Sequence, residues 1–167
     1  FLDAGQVATP EMRRKTFTAW ERVVLIPVEL VSALKVGVLI MAAAFLLGGL
    51  GGSADFWSEA VKHGLLAVKA LLLSLITGAV FTPLLLPYLP GRSFAGKGFF
   101  AGLAGILILM AWEKGGGLIW AGTWEWLALA LMVAAISAYL AMNFTGASTY
   151  TSLSGVKKEM RWAVPLE

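Results

Sequence analysis

Four long apolar runs set the limits on what this chain can fold into. They cover about 23–50, 64–86, 98–112 and 126–142, and short polar segments separate them. A span of the hydrocarbon core needs roughly 20 predominantly apolar residues as a helix. Backbone groups in lipid must also be satisfied within the segment itself. The expected fold is therefore all-α, a polytopic transmembrane helical bundle with four spans in these 167 residues. Composition agrees: 59% of residues are hydrophobic and only 14% charged, against roughly 25% charged in a soluble domain. There is no cysteine, which excludes disulfides, thiolate metal sites and a cysteine nucleophile.

The spans are not uniform. Val23–Lys35 contains Pro27, Glu29, Ser32 and Lys35, whereas Val36–Leu50 is purely apolar. This contrast predicts an interfacial helix bending into the first span, with one long tilted helix as the alternative. The segment Gly48–Gly52 is expected to end it, and Asp55, Trp57 and Glu59 to form a short polar loop. Pro83 should kink the second span, since proline offers no N–H to the helix ladder. Pro87–Arg92 reads as a stiff turn. Gly98, Gly102 and Gly105 put small residues on one face of the third span, a common device for close helix approach. The segment from Glu113 to Trp126 reads as a glycine- and tryptophan-rich loop. At the N-terminus, Thr9-Pro10-Glu11 has the pattern of a helix start.

Basic residues are distributed unevenly. Arg13, Arg14, Lys15, Arg22, Arg92, Lys97, Lys157, Lys158 and Arg161 fall on one side of a four-span arrangement, and only Lys62 and Lys114 on the other. Such a bias places the nine on the cytoplasmic side, with both ends of the sequence. Trp57, Trp112, Trp120, Trp124 and Trp126 then share the outer side, where an aromatic belt is expected. The sequence starts with Phe1, shows no signal peptide and stops abruptly at Glu167. It reads as a piece of a longer protein.

Charges within spans are functional candidates by default, and here they are Glu29, Lys35 and Lys69. Lys35 and Lys69 lie within snorkelling reach of an interface, so anchoring competes with an ion or substrate path. His63, the only histidine, has no obvious co-ligand and reads as interfacial rather than metal-binding. Gly115–Gly117 lacks the lysine and hydroxyl of a phosphate loop and reads as a turn. No residue set expected to do chemistry or hold a metal or cofactor is visible, and nothing in the charge pattern points to nucleic acid. The segment 143–167 changes character: hydroxyls and glycines precede Lys157, Lys158 and Arg161. Ser152 or Ser154 is positioned to cap a short helix over Lys157–Trp162. A folded cytoplasmic element that docks on a polar partner through Asn143, Thr145, Ser152, Ser154, Lys157, Lys158 and Arg161 is one reading. A solvated connector is the other.

Several of these segments have a familiar spelling. Asn143–Pro165 (NFTGASTYTSLSGVKKEMRWAVP), Ala8–Arg14 (ATPEMRR), Glu21–Lys35 (ERVVLIPVELVSALK) and Leu86–Gly98 (LPYLPGRSFAGKG) resemble the membrane part of the corrinoid proteins of microbial mercury methylation. The matching stretches cover most of the chain in order and lie in loops and helix starts. The resemblance implies a bacterial or archaeal cytoplasmic-membrane protein whose N-terminal corrinoid domain carries cobalamin. It also implies a ferredoxin-like subunit with two [4Fe–4S] clusters as partner, and methyl transfer to Hg(II). Residues 1–20 would lead out of the corrinoid domain, 21–142 would form the transmembrane domain, and 143–167 would lead to a fifth span. The family's cap-helix motif, Asn-Val-Trp-Cys-Ala-Ala-Gly-Lys, does not occur here, so no catalytic or cofactor-binding residue carries over. The implied role is membrane anchor and docking domain. A small multi-pass transport or channel subunit for a metal or small-molecule complex is the alternative, although mercury carriers rely on cysteine pairs.

Overall fold

A computed structural model describes residues 18–50, 55–91, 93–115 and 122–147, together with Lys157, Met160, Arg161 and Pro165. Among these residues the chain is helical, without strands, and four helices are long and apolar enough to cross a membrane. They are α1 (Ala19–Leu50), α2 (Phe56–Leu84), α3 (Phe94–Gly115) and α4 (Thr123–Ala147). We call the end that holds the start of α1 proximal and the opposite end distal.

The chain expected to bend after Lys35 instead forms one α-helix of 32 residues with Pro27 inside it. At 1.5 Å per residue this is about 48 Å, longer than the roughly 30 Å hydrocarbon thickness. Pro27 stands two turns into the helix, so the Val23 carbonyl loses its intrahelical donor there while the helix continues. Thr18 and Glu21 set the start: the Glu21 amide donates to Thr18 Oγ1 (3.3 Å), and the Thr18 amide donates to Glu21 Oε2 (2.8 Å). This reciprocal capping box was legible as Thr-x-x-Glu before an apolar run. The start expected at Thr9-Pro10-Glu11 lies outside the described residues.

Other boundaries also move. α2 begins at Phe56 rather than near residue 64, so Trp57 and Glu59 are helical and not part of a loop. α3 extends beyond 98–112 at both ends and includes Glu113, while α4 runs from Thr123 through Ala147, past the expected end at 142. Charged and small residues at helix ends read as loop, but the backbone ladder continues through them, and Glu59 and Glu113 among them are buried. Gly48 and Gly49 do not terminate α1. A Cβ on Gly48 would collide with the Gly64 backbone, and one on Gly49 would lie 2.5 Å from the Phe56 ring. These glycines let α1 and α2 close at the distal end.

α2 contains two π-helical turns, Ala60–Gly64 and Thr77–Phe81. The second immediately precedes Thr82-Pro83, so the disturbance expected at the proline is taken up as a widened turn. Thr82 Oγ1 donates to the Thr77 carbonyl at 2.7 Å, satisfying an acceptor in that turn. After α2, Pro87–Gly91 turns the chain, with Gly91 at φ 95°, a left-handed conformation that glycine accepts without a Cβ penalty.

Packing is unequal among the helices. The most apolar window of α1 has none of its residues buried, against 44% for α2, 33% for α3 and 44% for α4. The core is therefore α2–α3–α4, and α1 lies along α2 with most of its surface outward. Val28, Val31, Leu39 and Leu47 are each more than half exposed, a surface suited to acyl chains rather than water. The glycine face of α3 is divided between two neighbours. Cβ atoms on Gly98 and Gly102 would lie 2.5 and 2.9 Å from α4 backbone, whereas one on Gly105 would lie 2.7 Å from Thr77 Cγ2 of α2. Beside this junction the Thr77 and Ser137 hydroxyls lie 2.6 Å apart, and Ser137 Oγ also reaches the Ser74 carbonyl at 3.3 Å. Leu66, Ala70, Ile106, Trp126 and Val133 pack together in one cluster, while Ile26, Leu86, Phe94 and Phe144 close the proximal end.

Candidate functional site

The proximal end is built around two cations, one on the last turn of α2 and one on the turn that follows it. The final carbonyls of a helix have no intrahelical donors. Arg22, 8% exposed, donates from Nη1 to the carbonyls of Pro83 (3.2 Å) and Leu84 (3.1 Å). Lys97, from the first turn of α3, donates from Nζ to the Leu86 carbonyl at 2.6 Å. Both cations thus meet the negative end of a helix dipole. Ser93 Oγ accepts from the Gly96 amide at 3.1 Å and caps α3. The starts of α1 and α3 and the end of α2 are in this way fastened into one platform, onto which Phe144 brings α4.

At the distal end the charges that the sequence scatters are paired. Lys69 Nζ lies 2.7 Å from Glu113 Oε1, and the Glu113 side chain is only 8% exposed. Glu113 stands near the end of α3, so the pair ties α2 to α3. His63 is not isolated: Nε2 lies 3.4 Å from Glu59 Oε2 and Nδ1 lies 3.0 Å from Glu125 Oε1. Lys62 is 3.9 Å from Glu59, which is buried. Glu125 also accepts from the Gly122 amide at 2.8 Å, capping the start of α4. Each imidazole nitrogen faces a different carboxylate, so the arrangement is a clasp between α2 and α4 and not a convergent ligand set. Among the described residues no group of three His, Cys, Asp or Glu side chains is placed to hold a metal ion. A cavity of about 550 Å³ opens beside Lys69 and Glu113, lined also by Trp57 and Lys62.

Sequence reasoning named Lys69 but missed Glu113, which it placed in a loop. The usable signal was that an acid flanking one span was available for the lone lysine of another on the same side. Glu29 and Asn143 come together, lining one cavity of about 400 Å³ bounded by α1, α2 and α4. Lys35 is exposed on α1. Asn143 and Thr145, expected in the tail, belong to α4. Lys157 and Arg161 are helical and exposed, whereas Ser152, Ser154 and Lys158 lie outside the described residues, as does Arg92. No protein-family model matches the sequence, and neither curated proteins nor solved structures give a match.

Proposed function

We propose that this chain is the membrane anchor and docking domain of a corrinoid-dependent methyltransferase that methylates Hg(II). It sits in a bacterial or archaeal cytoplasmic membrane with its proximal end in the cytoplasm. One observation carries this reading. Three of the stretches that resemble the mercury-methylation corrinoid proteins, Glu21–Lys35, Leu86–Gly98 and, through Phe144, the start of the one at Asn143, are separate in sequence but meet at the proximal end. Ile26, Leu86, Phe94 and Phe144 pack together there; Arg22 ties the first stretch to the Pro83 and Leu84 carbonyls just before the second, and Lys97 closes the second on its own Leu86 carbonyl. A resemblance confined to lipid-facing apolar runs would carry little weight. Here it includes Arg22 and Lys97, whose polar contacts close one end of the bundle.

On this reading the domain supplies positioning, and the chemistry belongs to a corrinoid domain bearing cobalamin and to a ferredoxin-like subunit with two [4Fe–4S] clusters. Lys157 and Arg161 are exposed, and on this reading their charge would steer and orient an acidic partner. The test uses nanodiscs carrying the chain, empty nanodiscs of the same lipid, and the purified corrinoid domain and iron–sulfur subunit. Retention of either partner on the loaded discs alone supports docking. Equal retention on empty discs overturns it. Liposomes with the chain should not take up Hg(II)–thiol complexes faster than bare liposomes; accelerated uptake would favour the transport alternative.

A further inference from the structure

α1 rests on α2 along most of its length and touches α4 only sparingly. A groove of about 400 Å³ remains between them, within the roughly 300–1,000 Å³ range of small-molecule sites. Its lining changes character along the bundle axis. Glu29 and Ser32 of α1 and Tyr139 and Asn143 of α4 form one end. Val36 and Ile40 of α1, with Leu71 of α2 and Ile136 of α4, form the other. Glu29 and Ile40 are separated by about 16 Å of helix, and Glu29 lies about 9 Å inward from the first apolar residue, Val23.

Among the described residues the side chains of the polar end have no partner. No side-chain hydrogen bond or ion pair joins Glu29, Ser32, Tyr139 or Asn143 to another described residue. Ser32, Tyr139 and Asn143 are exposed and Glu29 is half-buried, so the carboxylate is the group that gains most from a partner. Glu29 offers a carboxylate that only accepts, while the two hydroxyls and the Asn143 amide can accept or donate. The complementary ligand has hydrogen-bond donors on a compact head and one apolar chain. It enters sideways, because the wall beside α1 is open to lipid.

We infer that the groove between α1 and α4 is a binding site for a single-chain amphiphile with a donor-bearing head. The head meets Glu29, Ser32, Tyr139 and Asn143, and the chain lies toward Ile40 and Leu71. Hydroxyl and ammonium heads share this donor chemistry, and the experiment separates them. The inference does not rest on the docking reading, and docking assays leave it untouched.

Native mass spectrometry of the purified chain, with 1-monolauroylglycerol or dodecylamine added, reads the stoichiometry directly. One bound molecule is expected, with retention at least tenfold weaker in Glu29→Leu and in Ala33→Phe, which fills the groove. Both variants put apolar atoms where lipid already lies, and an unchanged helical circular dichroism signal verifies their fold. Glu29→Gln separates the two heads: it should spare a hydroxyl ligand and release an ammonium ligand. Absence of a 1:1 adduct with either probe, or adducts that survive both Glu29→Leu and Ala33→Phe, would overturn the site. So would a dimer mass lost in Ala33→Phe without any amphiphile adduct, because the groove would then belong to a second copy of the chain.

Discussion

Lys69 of α2 and Glu113 of α3 meet at 2.7 Å, a lysine with 40% of its side chain exposed against a carboxylate with 8%. Each explains the other. Glu113 without a cation would be a buried, uncompensated charge, and Lys69 would have to reach past its own helix for the headgroups.

Removing one partner should therefore hurt more than removing both. Breaking a fully buried pair costs about 3–5 kcal/mol, and the exposure of Lys69 reduces this to about 2–3 kcal/mol for Lys69→Met or Glu113→Leu. The double variant should recover at least half of either loss, as apolar replacements of buried pairs do. Thermal unfolding of the four proteins in one detergent gives the cycle. Additive losses would mean that the pair is not coupled.

Arg22→Met removes the donors from the Pro83 and Leu84 carbonyls. Hydrogen bonds from charged groups contribute about 1.5–3 kcal/mol, so the proximal end should loosen by that order. Amide exchange should rise in residues 80–89 and stay unchanged near Leu66 and Val133. Uniform protection across α2 in the variant would show that Arg22 is dispensable.

The α3–α4 contact should not tolerate side chains at its glycines. Gly98→Val and Gly102→Val should each cost about 1–3 kcal/mol or more through overpacking, since their Cβ atoms meet α4 backbone. Gly115→Val is the control, with open space around its Cβ. Unfolding temperatures that rank the three alike would contradict the packing described.

Thr77→Val, Ser137→Ala and their combination should reveal a modest coupling, about 0.6 kcal/mol and not above roughly 1.7 kcal/mol, as for other interhelical hydrogen bonds in membranes. A coupling near zero would assign the 2.6 Å approach to packing alone.

For the proposed role, Lys157→Gln, Lys158→Gln and Arg161→Gln together should lower methyl transfer in the full-length protein while insertion stays intact. The competing account holds these cations against anionic headgroups, at about 1 kcal/mol each; it predicts weaker membrane attachment and normal partner binding. Single cysteines replacing Ser53 and Ser154 should label from opposite faces of sealed vesicles. Labelling from one face would remove the orientation on which the role depends.

Span number and helical class were legible in the sequence because each depends on local, additive quantities: hydropathy over some 20 residues and the need of backbone groups for partners in lipid. The small-residue face of α3 was legible for the same local reason. Boundaries were not, because Glu59 and Glu113 look like loop residues until a cation on the same or another helix accounts for their burial. Nor was His63 between Glu59 and Glu125, nor Glu29 beside Asn143, since hydropathy does not encode which faces of distant segments meet. Pro83 announced a disturbance, but only the packing of Gly78 against Leu140 and Ser137, and of Arg22 on the freed carbonyls, decided where the helix would widen and end. Local sequence determined that the chain enters a membrane as four helices. Pairing between helices, a non-local choice made by close approach and charge compensation, decided which residues share a site.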